Sequence, residues 1–266
     1  MKKFGISLIA SAVALFGTCV SASNIVTIEG QSSGSAATLD SNSIITAIGS
    51  HGGGYVSPGS GLTYNNWAIF VQDSTGALAL FGTLPGGTTE PNPTVGDAVN
   101  AAGTYSPYHQ IPEIGSMSSL TQVSTGNAVP TPPVFTLGTL LSSTTIPQSA
   151  AGYALQLQNV TIYTDSGATT PASGNFPNAN TAFYLKDGDG NIMEMYFWIT
   201  SYSAAGDMVG TPIPTGLVNV TGILSQSGSF PVEITPFAIT AVPEPSTIAL
   251  VGVGLASLLA LRRRRS

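Results

Sequence analysis

Trp67-Ala68-Ile69-Phe70-Val71-Gln72-Asp73-Ser74-Thr75-Gly76-Ala77-Leu78-Ala79-Leu80-Phe81 reads as strand, tight turn, strand. Thr181-Ala182-Phe183-Tyr184-Leu185-Lys186-Asp187-Gly188-Asp189-Gly190-Asn191-Ile192-Met193-Glu194-Met195 repeats it. An aspartate at the turn entry bonds back to the backbone, and a glycine supplies the positive φ a hairpin needs. Asp73 and Asp187 are 114 apart, as are Gly76 and Gly190. Downstream, Gly96-Asp97-Ala98-Val99-Asn100 parallels Gly216-Leu217-Val218-Asn219, and Gly103 and Gly222 lie 119 apart. Gln110-Ile111-Pro112-Glu113-Ile114 then parallels Phe230-Pro231-Val232-Glu233-Ile234, with the glutamates 120 apart. Four landmarks in one order, drifting only by small loop insertions, indicate an internal duplication. Gly103 and Gly222 are expected to end strands at a bulge or barrel corner. Each unit is expected to be a small five-stranded barrel: a β-rich lead-in, the Asp-x-x-Gly hairpin, the Gly-Asp strand and a last strand near Glu113 or Glu233.

Around these hairpins the chain is rich in Gly, Ser, Thr, Pro and Ala, with Trp, Tyr, Phe, Ile and Val gathered in short strand-like clusters. No amphipathic helical stretch stands out away from the two ends. The fold class is therefore all-β, as two tandem small barrels. Val129-Pro130-Thr131-Pro132-Pro133 reads as a stiff linker between them. The expected divisions are 1–22, a signal peptide; 23–127, a first β module; 128–240, a second; and 241–266, a sorting signal with a hydrophobic helix. The order of parts resembles the OB-like modules of secreted bacterial proteins, some of them attached to extracellular nucleases. One continuous β-sandwich of similar length is the alternative.

Charge narrows the function. Between Ser23 and Val242, Lys186 is the one basic residue against twelve acids, a net −11. Such a surface repels phosphate backbones and lacks a basic groove, so nucleic acid is not an expected partner. It suits solubility by repulsion, divalent cations or neutral carbohydrate.

The two ends speak of export. Met1-Lys2-Lys3, the apolar run Ile6 to Phe16, and Val20-Ser21-Ala22 before Ser23 form a signal peptide in order and composition. Cleavage there removes Cys19, leaving neither disulfide nor thiol chemistry to the mature chain. At the other end stand Pro243, Glu244 and Pro245, then 14 uncharged residues from Ile248 to Leu261, then Arg262, Arg263, Arg264 and Arg265. As a helix the apolar run would measure about 21 Å, shorter than a hydrocarbon core of about 30 Å, and would span by thinning the bilayer. The arginines would hold the terminus on the cytoplasmic side. This order of parts resembles the PEP-CTERM sorting signal of Gram-negative bacteria. The resemblance implies recognition of Pro243, Glu244 and Pro245 by an exosortase, a membrane peptidase-like enzyme. It further implies passage through the Sec translocon and signal peptidase, residence in the inner membrane during processing, and then the cell surface or extracellular matrix.

Candidate chemistry is sparse. Gly30-Gln31-Ser32-Ser33-Gly34 matches the nucleophile-elbow pattern but lacks the helix that should follow it. His51 and His109 have no carboxylate or second histidine at metal-ligand spacing and read as exposed loop residues. Asp187, Asp189 and Asn191 are candidate metal ligands, with calcium the ion such oxygens select; a plain hairpin turn competes. Tyr55, Tyr64, Trp67, Tyr105 and Tyr108 could line a sugar-binding face or fill a core. Asn159-Val160-Thr161 and Asn219-Val220-Thr221 match the glycosylation pattern inside predicted strands and read as strand residues. The leading expectation is an exported, non-enzymatic surface or matrix protein associated with exopolysaccharide or biofilm. The alternatives are a carbohydrate- or neutral-ligand-binding OB-like module and a secreted hydrolase.

Overall fold

The computed structural model describes residues 23–84, 92–142, 146, 152–227 and 230–243, except the side chains of 40–42, 227 and 230–231. The predicted signal peptide and the apolar run from Ile248 to Leu261 with its arginines lie outside the described residues. Helix α1 (Ile25–Glu29) is followed by strands β1 (Ala36–Ser50), β2 (Tyr55–Val56), β3 (Thr63–Tyr64), β4 (Trp67–Gln72), β5 (Ala77–Gly82), β6 (Ala98–Tyr105) and β7 (Glu113–Ser124). After the proline-rich stretch come β8 (Val134–Phe135), α2 (Leu137–Leu141), β9 (Leu155–Tyr163), β10 (Thr181–Lys186), β11 (Ile192–Phe197), α3 (Ser203–Met208), β12 (Val218–Ser227) and β13 (Phe230–Ala241).

These strands close two five-stranded barrels of identical topology. The first runs β1-β4-β5-β7-β6 and the second β9-β10-β11-β13-β12, each returning to its first strand. All neighbours are antiparallel except β5 with β7 and β11 with β13, the parallel pair of each barrel. Counted within a unit, the order is first, second, third, fifth, fourth, which is an OB-like closure. The single-sandwich alternative is not what forms.

Alternation builds each core. Trp67, Ile69 and Val71 of β4 point inward with Leu78 and Leu80 of β5; Phe183, Leu185, Met193, Met195 and Phe197 do the same in the second barrel. A short helix the sequence reading did not foresee also precedes the first barrel strand of each unit. Ile25 and Ile28 of α1, and Leu137 and Leu140 of α2, are fully buried at i, i+3 spacing. Asn24 and Thr136 cap these helices by accepting from the N–H of Thr27 and Thr139. Helices of five residues are too short for a 3.6-residue period to show in sequence, so the lead-in is β-rich as expected, in β1 and β9, but carries a helix besides.

Two landmark glycines are corrected in detail. Gly103 and Gly222 lie within β6 and β12 at register shifts, not at strand ends. A Cβ on Gly222 would stand 2.2 Å from the Thr235 carbonyl oxygen, so the partner strand occupies the side-chain space. The hairpins differ as well. Gln72 pairs with Ala77, but Lys186 pairs with Ile192, so the second turn is one residue longer. Gly190 takes the expected positive φ of 88°. Gly76 does not; a Cβ there would strike Ile25 Cγ2 at 2.8 Å, so glycine serves the approach of α1.

The barrels are not beads on a linker. Ala68, Phe70 and Ala79, on the outer face of β4 and β5, form one buried cluster with Ile111 and with Ile223 of the second barrel. Phe237 of β13 and Tyr202 pack against that cluster, and the Phe70 and Phe237 rings lie 5.3 Å apart.

Candidate functional site

Equivalent cross-strand rows run over the outer faces of the two barrels. In the first, Ala47 pairs with Phe70, Phe70 with Ala79, and Ala79 with Glu113. In the second, Tyr163 pairs with Tyr184, Tyr184 with Glu194, and Glu194 with Glu233, which pairs in turn with Ser225. Phe70 therefore corresponds to Tyr184 and Ala79 to Glu194, while Phe81 corresponds to Tyr196 one step along the third strand. The first row is sealed beneath the second barrel: Phe70 is 1% exposed. The second begins in the open, with Tyr163 and Tyr184 half-buried, and ends in the joint, with Glu233 buried.

Around the open end stand Tyr196, Trp198 and Lys186, all half-buried. The Tyr196 and Trp198 rings meet edge to face at 5.9 Å, and Lys186 Nζ lies 5.7 Å from the Tyr163 ring centroid. Trp198 Nε1 donates to Thr200 Oγ1 at 3.0 Å. Burial, and then Glu233, push the Glu194 carboxyl above the usual carboxylate range. Sequence reasoning missed this face. The signal lay in the repeat itself, since comparing the copies shows hydroxyls gained on conserved ring positions.

The aromatics singled out from sequence do not form a face. Tyr64, Trp67 and Tyr105 are buried, Tyr55 is half-buried and Tyr108 is exposed. His51 is not an exposed loop residue: it is half-buried between the Tyr55 and Trp67 rings at 5.2 and 5.7 Å. Its backbone N–H donates to Ser203 Oγ at 2.8 Å, with Nδ1 3.4 Å from the same oxygen. Ser203 is wholly buried at the start of α3. Asp207, on the same helix, accepts from the Tyr55 hydroxyl at 2.9 Å, and the Tyr64 hydroxyl donates to the Ile199 carbonyl. Burial lowers the His51 pKa, opposed in part by Asp207. His109 is exposed, with Nδ1 against the Gln226 carbonyl, and the Gln110 and Gln226 side chains bond beside it. Both histidines thus tie the first barrel to the second.

The elbow-like stretch from Gly30 to Gly34 connects α1 to β1; a strand follows it. Asp187 Oδ1 accepts from the N–H groups of Asp189 and Asn191 at 3.1 and 2.9 Å, and Oδ2 accepts from Asn191 Nδ2 at 2.9 Å. Those bonds close the hairpin, and Asp189 and Asn191 stand in it as turn residues. Among the described residues no group of three or more His, Cys, Asp or Glu is placed to hold a metal ion. The strand asparagines of the two glycosylation patterns meet, Asn159 N–H donating to Asn219 Oδ1 at 3.2 Å. Among the described residues no helix is long and apolar enough to cross a membrane.

No curated protein matches the chain. Among solved structures, a replication protein A heterotrimer bound to single-stranded DNA is similar at 12% identity over 89% of this chain and 72% of that one, with a TM-score of 0.28. The family comparison concerns the tail, beginning where β13 ends at Ala241. Residues 241–265 match the model of the PEP-CTERM protein-sorting motif, so the chain carries that motif and, with it, the address of an exported protein processed by an exosortase.

Proposed function

We propose that this chain is a non-enzymatic component of the cell surface or extracellular matrix of a Gram-negative bacterium, associated with exopolysaccharide or biofilm. The observation that carries the reading is the sorting motif at residues 241–265, joined to a body of two barrels. It is supported by the employment of His51 and His109 in the joint between the barrels. The net −11 between Ser23 and Val242 favours a hydrated, neutral polymer over a polyanion as neighbour. In this reading the Sec translocon and signal peptidase handle the first 22 residues. Exosortase reads Pro243, Glu244 and Pro245 while the run from Ile248 to Leu261 and Arg262 to Arg265 hold the chain in the inner membrane.

Intact mass and fractionation of the native chain beside a Glu244→Ala variant test it. The wild type should lose its tail and reach the surface or medium, and the variant should stay full length in the membrane. If both keep the arginines and remain in the membrane alike, the sorting reading fails.

A further inference from the structure

We infer that the outer face of the second barrel, centred on Tyr163, Tyr184, Tyr196 and Trp198, binds a neutral polysaccharide chain. The inference deepens the reading above by naming the partner's chemistry, and it rests on the matrix setting of that reading only for its biological sense.

The duplication supplies the first argument. Two copies of one unit show what the same strand positions become when covered and when left open. Where the second barrel covers the first, the second and third strands carry Ala68, Phe70 and Ala79, all buried, with Phe81 half-buried against them, an apolar set suited to a dry joint. At the corresponding places the second barrel has Ala182, Tyr184, Glu194 and Tyr196. The rings stay and hydroxyls are added. A sheet face turned simply to water needs no aromatic rings there, because exposed apolar area is tolerated only in modest patches. Keeping ring area while adding hydrogen-bonding groups produces a surface apolar in the ring plane and polar at its rim. That combination matches a pyranose, whose axial C–H groups form an apolar face bordered by hydroxyls.

The second argument is geometric. Tyr163 and Tyr184 are direct cross-strand partners, and Tyr196 lies two residues beyond Glu194 on the next strand, so the three phenols span three adjacent strands. With strands about 4.8 Å apart, such a row runs roughly 10 Å across the sheet, the length of about two sugar residues. Trp198 extends it beyond β11, its ring edge to face with Tyr196. At the inner end stands Glu194, the cross-strand partner of Tyr184 and only 6% exposed.

Charge selects the ligand class. Lys186 is the only cation between Ser23 and Val242, and it already lies over the Tyr163 ring, with Nζ 3.5 Å from the Ala168 carbonyl oxygen. With Glu194 at the other end, the face offers no excess of positive charge to a uronate or phosphate. A neutral chain is the occupant it favours.

Affinity electrophoresis of the full chain in mild non-ionic detergent, in native gels cast with mixed-linkage β-glucan, xyloglucan, galactomannan, dextran or alginate, tests the inference. Retardation by at least one neutral polymer is expected. In Tyr184→Ser/Tyr196→Ser the apparent Kd should rise about tenfold or more, since each lost contact of roughly 1.4 kcal/mol is tenfold, while the thermal transition stays in place. Should the double serine chain fail to fold, Tyr184→Phe/Tyr196→Phe carries the test: rings and core remain, and binding should weaken several-fold through lost hydroxyl contacts. Migration unaffected by every neutral polymer, retardation by alginate alone, or unchanged binding by the folded variants would each overturn it. So would concentration-dependent dimers that the same substitutions abolish, because the face would then serve self-association. Failure in these gels leaves the Glu244→Ala outcome untouched, and failure of sorting leaves the gel result standing.

Discussion

Glu113 and Glu233 hold the same place in the two barrels, each heading the parallel pairing of third and fifth strands, and both lie within electrostatic reach of the Tyr202 hydroxyl. Tyr202 packs in the joint, so duplicated carboxyls that began as equivalents now share one interface. Burial, then Glu113, Tyr108 and Glu233, raise the Tyr202 pKa well above the ordinary phenol value. The interface therefore favours protonated groups, because burial penalises the charged form of both Glu113 and Tyr202.

Stability should consequently fall as pH rises. Burial pushes the Glu113 carboxyl from its ordinary 4.5 to about 7. Between those values the folded chain binds more protons than the unfolded one, so stability declines across that window and levels off above it. The loss is on the order of 3 kcal/mol at most, less where water reaches the carboxyl. Glu194, raised by burial and by Glu233, adds in the same direction. Urea midpoints from pH 5 to pH 8 should drop, and Glu113→Gln should flatten the slope and stabilise the chain at pH 8. An unchanged slope in that variant would assign the effect elsewhere.

The joint should make the two barrels melt together. Phe237 packs on Phe70 and Tyr202 but belongs to neither barrel's interior. Phe237→Ser is expected to cost about 2–4 kcal/mol and to split one calorimetric transition into two. A single transition lowered as a whole would mean that the barrels are coupled by other contacts.

Glycine positions predict contrasting outcomes. Gly222→Ala places a methyl 2.2 Å from the Thr235 carbonyl oxygen, a backbone atom that cannot swing away. A loss of about 3 kcal/mol or more follows, of the kind that overpacking against backbone produces. Gly188 has nothing within 4 Å of a Cβ. Its alanine variant should stay within about 0.5 kcal/mol of wild type by urea unfolding.

Asp73 does more than its counterpart. Oδ1 accepts from Thr75 N–H at 2.6 Å and Gly76 N–H at 3.0 Å, while Oδ2 accepts from Ile25 N–H at 3.0 Å, pinning α1 to the hairpin. Asp73→Ala should cost about 2 kcal/mol and speed amide exchange in α1. Asp187→Ala, which removes only turn bonds, should cost less; equal losses would show that the helix does not depend on this carboxylate.

The duplication was legible because strands and turns write themselves locally. Asp73 and Asp187 at turn entries, Gly103 and Gly222 beside a facing strand, and Glu113 and Glu233 in the last strands all keep their spacing. The capping helices were hidden by their shortness, and Gly76 was misread because its cause, Ile25, lies 51 residues away. The joint was equally invisible: Phe70 reads as a strand residue in any context, and only assembly reveals that its outward ring is covered. The aromatic face of the second barrel followed from that. Tyr184 gains meaning once Phe70 is known to be sealed, and Tyr196 once Phe81 is known to pack, half-buried, against the same joint.

The contact between the barrels is heterologous: the second and third strands of one unit lie on the fourth and fifth of the next. A head-to-tail contact has no symmetry that closes it, and repetition between molecules would generate a filament. The two faces left over decide whether it does. The first barrel offers exposed Ser116, Ser118, Ser119 and Thr121, and the second offers tyrosines and a lysine, so neither reproduces the apolar surface that made the first contact. The hydroxyls that mark the open face thus also guard a tandem protein against its own polymerisation.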